Sequence, residues 1–422
     1  SSPRTQFMDY LPAWPLQFTP LLAFGLVLLV GALGGYLSHR VSWLPSITGF
    51  MLVGFLCGPS VLDLLSAQTI ANSRVLIDIA LALILFRLGL SLDIKQLRHS
   101  PSLIMTSFLE SGLTFGVVFG ALQLFSVPFA ISVLVAAITV SSSPAVLLHV
   151  AHEVKAAGAV TESAKTLVAL NNLFSFIAFS AALPLLHYDT GANWTVVVFQ
   201  PIYQLMGSLL LGLAMGWALH VVSIKTQSAA QYKLALVIGA IMMTLALASE
   251  LKLSPLFAPL VMGAAIKTME HKAVTSDIEF GPAFELFFIV LFVFAGAGLH
   301  LNELIEFAPA VLALVLVRSV AKVLGTTVML RVFKKPLRSG TASGLLLIPM
   351  AGLAIGLVQT SSGLFPAQAP TIAAIVLGAV TVFETLGPPI AAFAFRFAGE
   401  AGAQDPEVGA EVQVAADGTA PH

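Results

Sequence analysis

The sequence predicts an all-α polytopic membrane protein of about thirteen transmembrane helices, built as two inverted repeats with crossed discontinuous helices. Three observations lead there. The first is composition: 58% of the 422 residues are hydrophobic and 10% are charged, with a mean hydropathy of +0.95, where a soluble domain carries roughly a quarter charged residues. The second is the sorting of Lys and Arg into alternate loops. The third is a pair of proline-broken apolar spans at matching places in the two halves of the chain.

Apolar stretches near the bilayer-spanning length of about 20 residues recur at 16–37, 41–58, 74–92, 101–123, 127–150, 160–186, 198–222, 229–251, 254–267, 281–299, 307–330, 341–363 and 369–396. The stretch at 254–267 is short and borders its neighbour closely. Nothing resembles the alternating short strands of an outer-membrane barrel. If the N-terminus lies outside and the spans alternate, the inner side holds Arg40, Lys95, Arg98, Lys155, Lys165, Lys225, Lys233, Lys267, Lys272, Arg331, Lys334, Lys335, Arg338 and Arg396. The outer side holds only Arg4, Arg74 and Lys252. Basic loops face the cytoplasm, so the N-terminus is expected outside and the C-terminus inside. Residues 1–15 then form an extracytoplasmic segment and 16–397 the membrane domain. The polar, acidic, Gly/Ala-rich stretch 398–422 reads as a disordered cytoplasmic tail. A net charge of −1 points to no nucleic acid, and a single cysteine, Cys57, leaves no internal disulfide.

Thirteen spans divide as six, one and six, with 198–222 as the linker. Two six-span halves of opposite topology are the usual build of secondary transporters. Span 5, "ISVLVAAITVSSSPAVLLHV", is interrupted at Ser141-Ser142-Ser143-Pro144, and its counterpart, span 12, "ASGLLLIPMAGLAIGLVQ", at Pro349 and Gly352. Matched interruptions are the pattern of discontinuous helices crossing at a midplane binding site; taken singly, each is also an ordinary proline kink.

Ionisable residues at membrane depth are costly and either functional or paired. Span 4 carries Glu110, span 11 carries Arg318 and Lys322 one turn apart, and span 13 carries Glu384. Structural ion pairing and a polar pathway are both open for each; for the set, a pathway is the better account. Span 6 carries Asn171 and Asn172 in "ALNNLF". Amides in hydrocarbon need partners, and these two either line a substrate site or hold helices together. His149, His152 and Glu153 fall at a cytoplasmic span end, where solvation explains them better than a metal does. The glycine pairs Gly31/Gly35 and Gly212/Gly216 make small-residue faces for a dimer contact or for close packing within one protomer. No phosphate-binding glycine loop, nucleophile constellation or redox motif is present, so neither an enzyme nor a cofactor is expected.

The stretch "LPSITGFMLVGFLCGPSVLDLL" (44–65) closely resembles the second-span signature of the monovalent cation:proton antiporter superfamily. "ALALILFRLGLSLDIKQLR" (80–98) is similar to its third-span signature, with Phe86, Gly89, Leu90 and Asp93 in place. "ITVSSSPAVLLHVAHE" resembles the unwound span, and "FETLGPPIAAFAFRFAGE" (383–400) the last span of the branch with bacterial sodium/proton exchangers and potassium-efflux systems. The resemblance implies the sodium/proton antiporter fold: a homodimer whose protomers each have a transporting core (spans within about 101–186 and 307–397) and a dimerisation scaffold (about 16–92 and 198–300). It implies a prokaryotic inner membrane, and exchange of sodium or potassium for protons by alternating access.

It also places the carrier aspartate on span 6, in an Asn-Asp or Asp-Asp pair. Asn171 matches the first position, but Asn172 stands where the aspartate belongs, and no acidic residue occurs between Glu162 and Asp189. Asn172 cannot carry a proton. The expected ion-binding groups are therefore Asn171, Asn172, Thr139, Ser141, Ser142 and Ser143. Lys322 and Arg318 are expected to compensate charge, with Glu384 and Glu110 as the remaining proton carriers. Two alternatives stay open: an uncoupled or non-proton-coupled transporter of another solute or an anion on the same fold, and a degenerate transporter serving as sensor or assembly partner.

Overall fold

The computed structural model describes residues 19–40, 46–90, 92, 94, 97, 100–188, 194–225, 232–269, 281–298, 301–365 and 367–403. The segment 1–15, the motif residue Asp93 and all but the start of the 398–422 tail lie outside them. The first half contains α1 (Pro20–Arg40), α2 (Ser46–Cys57), α3 (Ala67–Asn72), α4 (Arg74–Leu90), α5 (Pro101–Leu124), α6 (Phe129–Thr139), α7 (Pro144–Glu153) and α8 (Ala159–Tyr188). A long helix, α9 (Trp194–Lys225), follows. The second half contains α10 (Lys233–Glu250), α11 (Phe257–Met269), α12 (Gly281–Ala297), α13 (Leu301–Glu306) and α14 (Ala308–Val332), then α15 (Leu337–Leu346), α16 (Gly352–Leu364) and α17 (Ala369–Ala398). A helix, or two half-helices in succession, coincides with each of the thirteen apolar stretches. Among the described residues, eight spans are long and apolar enough to cross a bilayer unaided.

Two spans are broken, as expected. α6 ends at Thr139 and α7 starts at Pro144; α15 ends at Leu346 and α16 starts at Gly352. Proline supplies no N–H and disfavours helix in the residue before it, and serine side chains offer the backbone local alternatives to helix. The two unwound segments meet: Ser143 N–H donates to the Pro349 carbonyl at 2.7 Å and Ser142 Oγ donates to the Leu347 carbonyl at 2.8 Å.

Close helix contacts follow the pseudo-symmetry. A Cβ on Gly54 of α2 would lie 2.0 Å from the Val293 carbonyl of α12, and one on Gly296 of α12 would lie 2.0 Å from the Met51 carbonyl. The related pair is α4 with α11, where a Cβ on Gly89 would lie 2.1 Å from the Leu260 carbonyl and one on Gly263 2.1 Å from the Phe86 carbonyl. Spans 2 and 10 thus meet as spans 9 and 3 do, which is what a repeat offset by seven spans requires. Only glycine lets two backbones approach this closely. Gly31, Gly35, Gly212 and Gly216 serve the same end within the protomer, against Ile289, Phe50, Ala258 and Ala265 respectively.

At one end of the bundle a carboxylate ties two long helices together. Glu400, just past the α17 terminus, accepts bonds from Val160 N–H, Thr161 N–H and Thr161 Oγ1, each at 2.7 Å. These N–H groups belong to the first turn of α8, where donors lack helical partners and negative charge is favoured. Residue 158 favours glycine because its φ of +150° is one that L side chains rarely adopt, and a Cβ there would also press on the Glu400 carboxyl. Glu400→Ala is expected to lower stability by about 2 kcal/mol, read as a lower unfolding temperature in detergent. An unchanged temperature would show that the clasp contributes nothing.

Candidate functional site

The centre of the bundle is built on one face of α5. Ser107, Glu110, Ser111 and Thr114 follow one another at helical spacings of three, one and three residues, so they share a face. All four are buried, and α14 packs against this helix with Lys322 and Arg318 pointing inward. Close approach is permitted by Gly325, where a Cβ would press on Glu110 at 3.2 Å.

Glu110 is the hub. Its Oε1 meets Lys322 Nζ at 3.0 Å and accepts Thr114 Oγ1 at 2.7 Å; its Oε2 accepts Asn171 Nδ2 at 2.9 Å. Asn171 Oδ1 in turn accepts Ser107 Oγ at 2.6 Å and Ser111 Oγ at 3.3 Å. Ser142 Oγ, in the first break, is 3.5 Å from Asn171 Nδ2. The result is one carboxylate bonded to an ammonium, a hydroxyl and an amide N–H, with the Ser107, Ser111 and Ser142 hydroxyls gathered around the same amide. Oxygen-rich surroundings with a single full negative charge suit a hard monovalent cation, as oxygen donors do in general.

The two cationic side chains divide the remaining work. Lys322 Nζ also donates to the Val140 carbonyl at 2.7 Å. Arg318 donates through Nε to Thr139 at 2.7 Å, through Nη2 to Ser141 at 2.6 Å and through Nη1 to Ile348 at 2.5 Å, all carbonyl oxygens of the two breaks. The Phe383 ring covers its guanidinium, 4.5 Å away. Unwound backbone inside a bilayer needs such donors, and Arg318's fixed fork of N–H groups is well matched to several carbonyls at once.

Of the residues singled out in the sequence, the fold brings Asn171, Asn172, Ser142, Glu110, Lys322 and Arg318 together. Thr139, Ser141 and Ser143 are close in chain, but their hydroxyls turn away: Thr139 and Ser141 donate to the Ala136 and Ile138 carbonyls, and Ser143 caps Val146 N–H. Asn172 is stapled to one residue, accepting from Ser142 N–H at 3.2 Å and donating to the Ser142 carbonyl at 2.9 Å. Lys322 pairs with Glu110 and not with the amides. Glu384 is fully buried on α17 and neither carboxyl oxygen has a hydrogen-bond partner. Ser107, Ser111 and Thr114 were not anticipated, although their helical spacing from Glu110 is visible in "TSFLESGLT".

The model of the sodium/hydrogen exchanger transmembrane domain matches residues 25–395. The chain belongs to the sodium/hydrogen exchanger family. No curated protein matches its sequence. Its fold is similar to that of the sodium proton antiporter MjNhaP1 from Methanocaldococcus jannaschii, solved at pH 8: TM-score 0.71, 20% identity, covering 90% of this chain and 98% of that one. An electron-microscopy structure of the same antiporter gives TM-score 0.71 and 19% identity, over 89% and 96% of the two chains.

In this exchanger the buried carboxylate of the crossing comes from α5, while the neighbouring position on α8 holds an amide. Asn172→Asp is expected to add a titratable group beside the first break and with it a new pH dependence of transport. It also removes the donor to the Ser142 carbonyl, lowering stability by about 1 kcal/mol. Asn172→Ala loses both bonds and adds no pH dependence. An Asn172→Asp protein that folds normally and keeps the parent pH profile would place residue 172 outside the coupling pathway.

Proposed function

We propose that this chain is a secondary transporter that exchanges a monovalent cation, sodium or potassium, for protons by alternating access in a prokaryotic inner membrane. The observation that carries the reading is the buried Glu110–Lys322 pair, 3.0 Å apart and bonded to the Thr114 hydroxyl and the Asn171 amide N–H, at the meeting point of two broken helices. The carboxylate is held by three donors, the Lys322 ammonium, the Thr114 hydroxyl and the Asn171 amide N–H, and an entering cation replaces them on its oxygens while the neighbouring hydroxyl and amide oxygens turn toward it. The cation competes with Lys322 for Oε1, and a titratable group of the core gives up its proton as the cation binds. Family membership and the antiporter-like fold support the same reading.

An anion-selective site is disfavoured by the disposition of donors. Arg318 spends Nε, Nη1 and Nη2 on main-chain carbonyls, and Lys322 is committed to Glu110 and Val140. The core helices, about 101–186 and 307–397, move as a unit against the scaffold at about 16–92 and 198–300, through which two copies form a homodimer. The N-terminus lies outside and the C-terminus in the cytoplasm.

Reconstitution into proteoliposomes with an internal pH dye tests the proposal. Under an imposed pH gradient, sodium, potassium and lithium chloride are added in turn, with choline chloride as control. Proton movement driven by at least one alkali cation and not by choline is expected. None with any cation would sink the exchange reading.

A further inference from the structure

Among the described residues four charged side chains are fully buried: Glu110, Arg318, Lys322 and Glu384. Three of them are bound into the crossing. Glu384 is not, having neither a counter-ion nor a hydrogen bond. Yet it is close in chain to both partners of the crossing: the preceding residue, Phe383, lies under the Arg318 guanidinium, and Gly387, one turn on, packs against Pro349 of the second break.

α17 packs against α2, α6, α7, α13, α14, α15 and α16. Among the described side chains, the titratable and charged groups on those helices are few. Arg318 and Lys322 of α14 are committed as described, Cys57 of α2 is a buried thiol, and His149, His152, Glu153, Glu306, Arg331 and Arg338 are exposed. No exposed group competes for Glu384 in the interior.

Charge balance gives the carboxyl a task. The core holds two cations, Arg318 and Lys322, against one contacting carboxylate, Glu110. With Glu384 protonated, it carries one net positive charge. Adding an alkali cation beside Glu110 raises that to two, inside a medium where like charges repel strongly. Ionising Glu384 as the cation enters restores the original value. We propose that Glu384 is the proton-releasing group of the exchange: a carboxylic acid when the cation is absent and a carboxylate when it is present. The O–H bond breaks, the electron pair stays on the carboxylate and the proton leaves to the aqueous side then open. The core's charge is the same in both states, so the exchange is one proton for one cation and electroneutral. Glu384 thereby supplies the titratable charge that Asn172 lacks. This rests on the exchange reading above.

Two measurements test it. Glutamine is isosteric with the neutral acid, so Glu384→Gln should fold; in proteoliposomes cation-driven proton movement should fall at least ~10-fold, about 1.4 kcal/mol, while residual sodium uptake loses its pH dependence. Separately, dicyclohexylcarbodiimide, which reacts with protonated carboxyls in apolar surroundings, should label wild-type Glu384 by peptide mass spectrometry, and saturating sodium or lithium chloride should suppress the labelling. If wild type shows no exchange at all, the antiport reading fails, whatever the labelling. If wild type exchanges while Glu384→Gln keeps its rate and pH profile, the inference is overturned. Should Glu384→Gln not fold, labelling of wild type decides: no label, or label indifferent to sodium and lithium, overturns it equally.

Discussion

Glu110→Gln is expected to abolish cation-driven proton exchange, with a loss of ~100-fold or more, about 2.7 kcal/mol. Glutamine keeps the shape and still accepts Thr114 Oγ1 and Lys322 Nζ, but it presents no full negative charge to a cation. Its cost to folding is separate. Lys322 is fully buried and loses its ion partner, and stranding one member of a buried pair costs about 3–5 kcal/mol. Glu110→Gln combined with Lys322→Gln removes both charges and should regain much of that stability without regaining exchange. Thermal unfolding in detergent and dye-reported flux read the two effects apart, and the double-mutant cycle isolates the pair from its surroundings. Normal exchange by Glu110→Gln would mean that the pair is structural only.

Arg318→Met is expected to be strongly destabilising. Its guanidinium satisfies carbonyls of both breaks, at Thr139, Ser141 and Ile348. Each carbonyl orphaned in a buried site costs about 1–3 kcal/mol, so a loss above about 3 kcal/mol follows. Arg318→Lys keeps the charge but serves fewer carbonyls at once, and should fall between. Thermal unfolding measures the size, and faster amide exchange at 139–143 and 347–351 locates the damage. An Arg318→Met protein as stable as the parent would show that the breaks are held by other means.

The architecture was legible because its signals are local. Ser141-Ser142-Ser143-Pro144 and Pro349 mark the breaks without reference to anything else in the chain, and basic loops mark the ends of spans. Gly54, Gly89, Gly263 and Gly296 could be seen as small residues, but only the fold shows which backbones they admit. The site was legible in its members and not in its pairings. Glu110 and Lys322 lie on different spans, and which carboxylate meets which cation depends on helix rotation, which the sequence leaves free. Thr139, Ser141 and Ser143 looked like ligands because they flank a break; unwound hydroxyl residues bond first to their own backbone. The Ser107–Glu110–Ser111–Thr114 stripe was the opposite case, a periodic polar face visible in the sequence and overshadowed by the single charge within it. For Asn172 the sequence leaves site lining and helix holding both open, and in the fold both ends of its amide are used on Ser142.

The central claim is that a cation and a proton compete for one buried core in which, among the described residues, Glu110 is the carboxylate in contact with the cationic side chains. Proton release on cation binding tests it without a membrane or a gradient. Purified protein in detergent, weakly buffered with a pH-indicator dye, is titrated with sodium or lithium chloride and with choline chloride as control. The account predicts saturable, stoichiometric proton release from wild type with an alkali cation, and none from Glu110→Gln. Cation binding detected by calorimetry with no proton released, across the neutral and alkaline range, would contradict it.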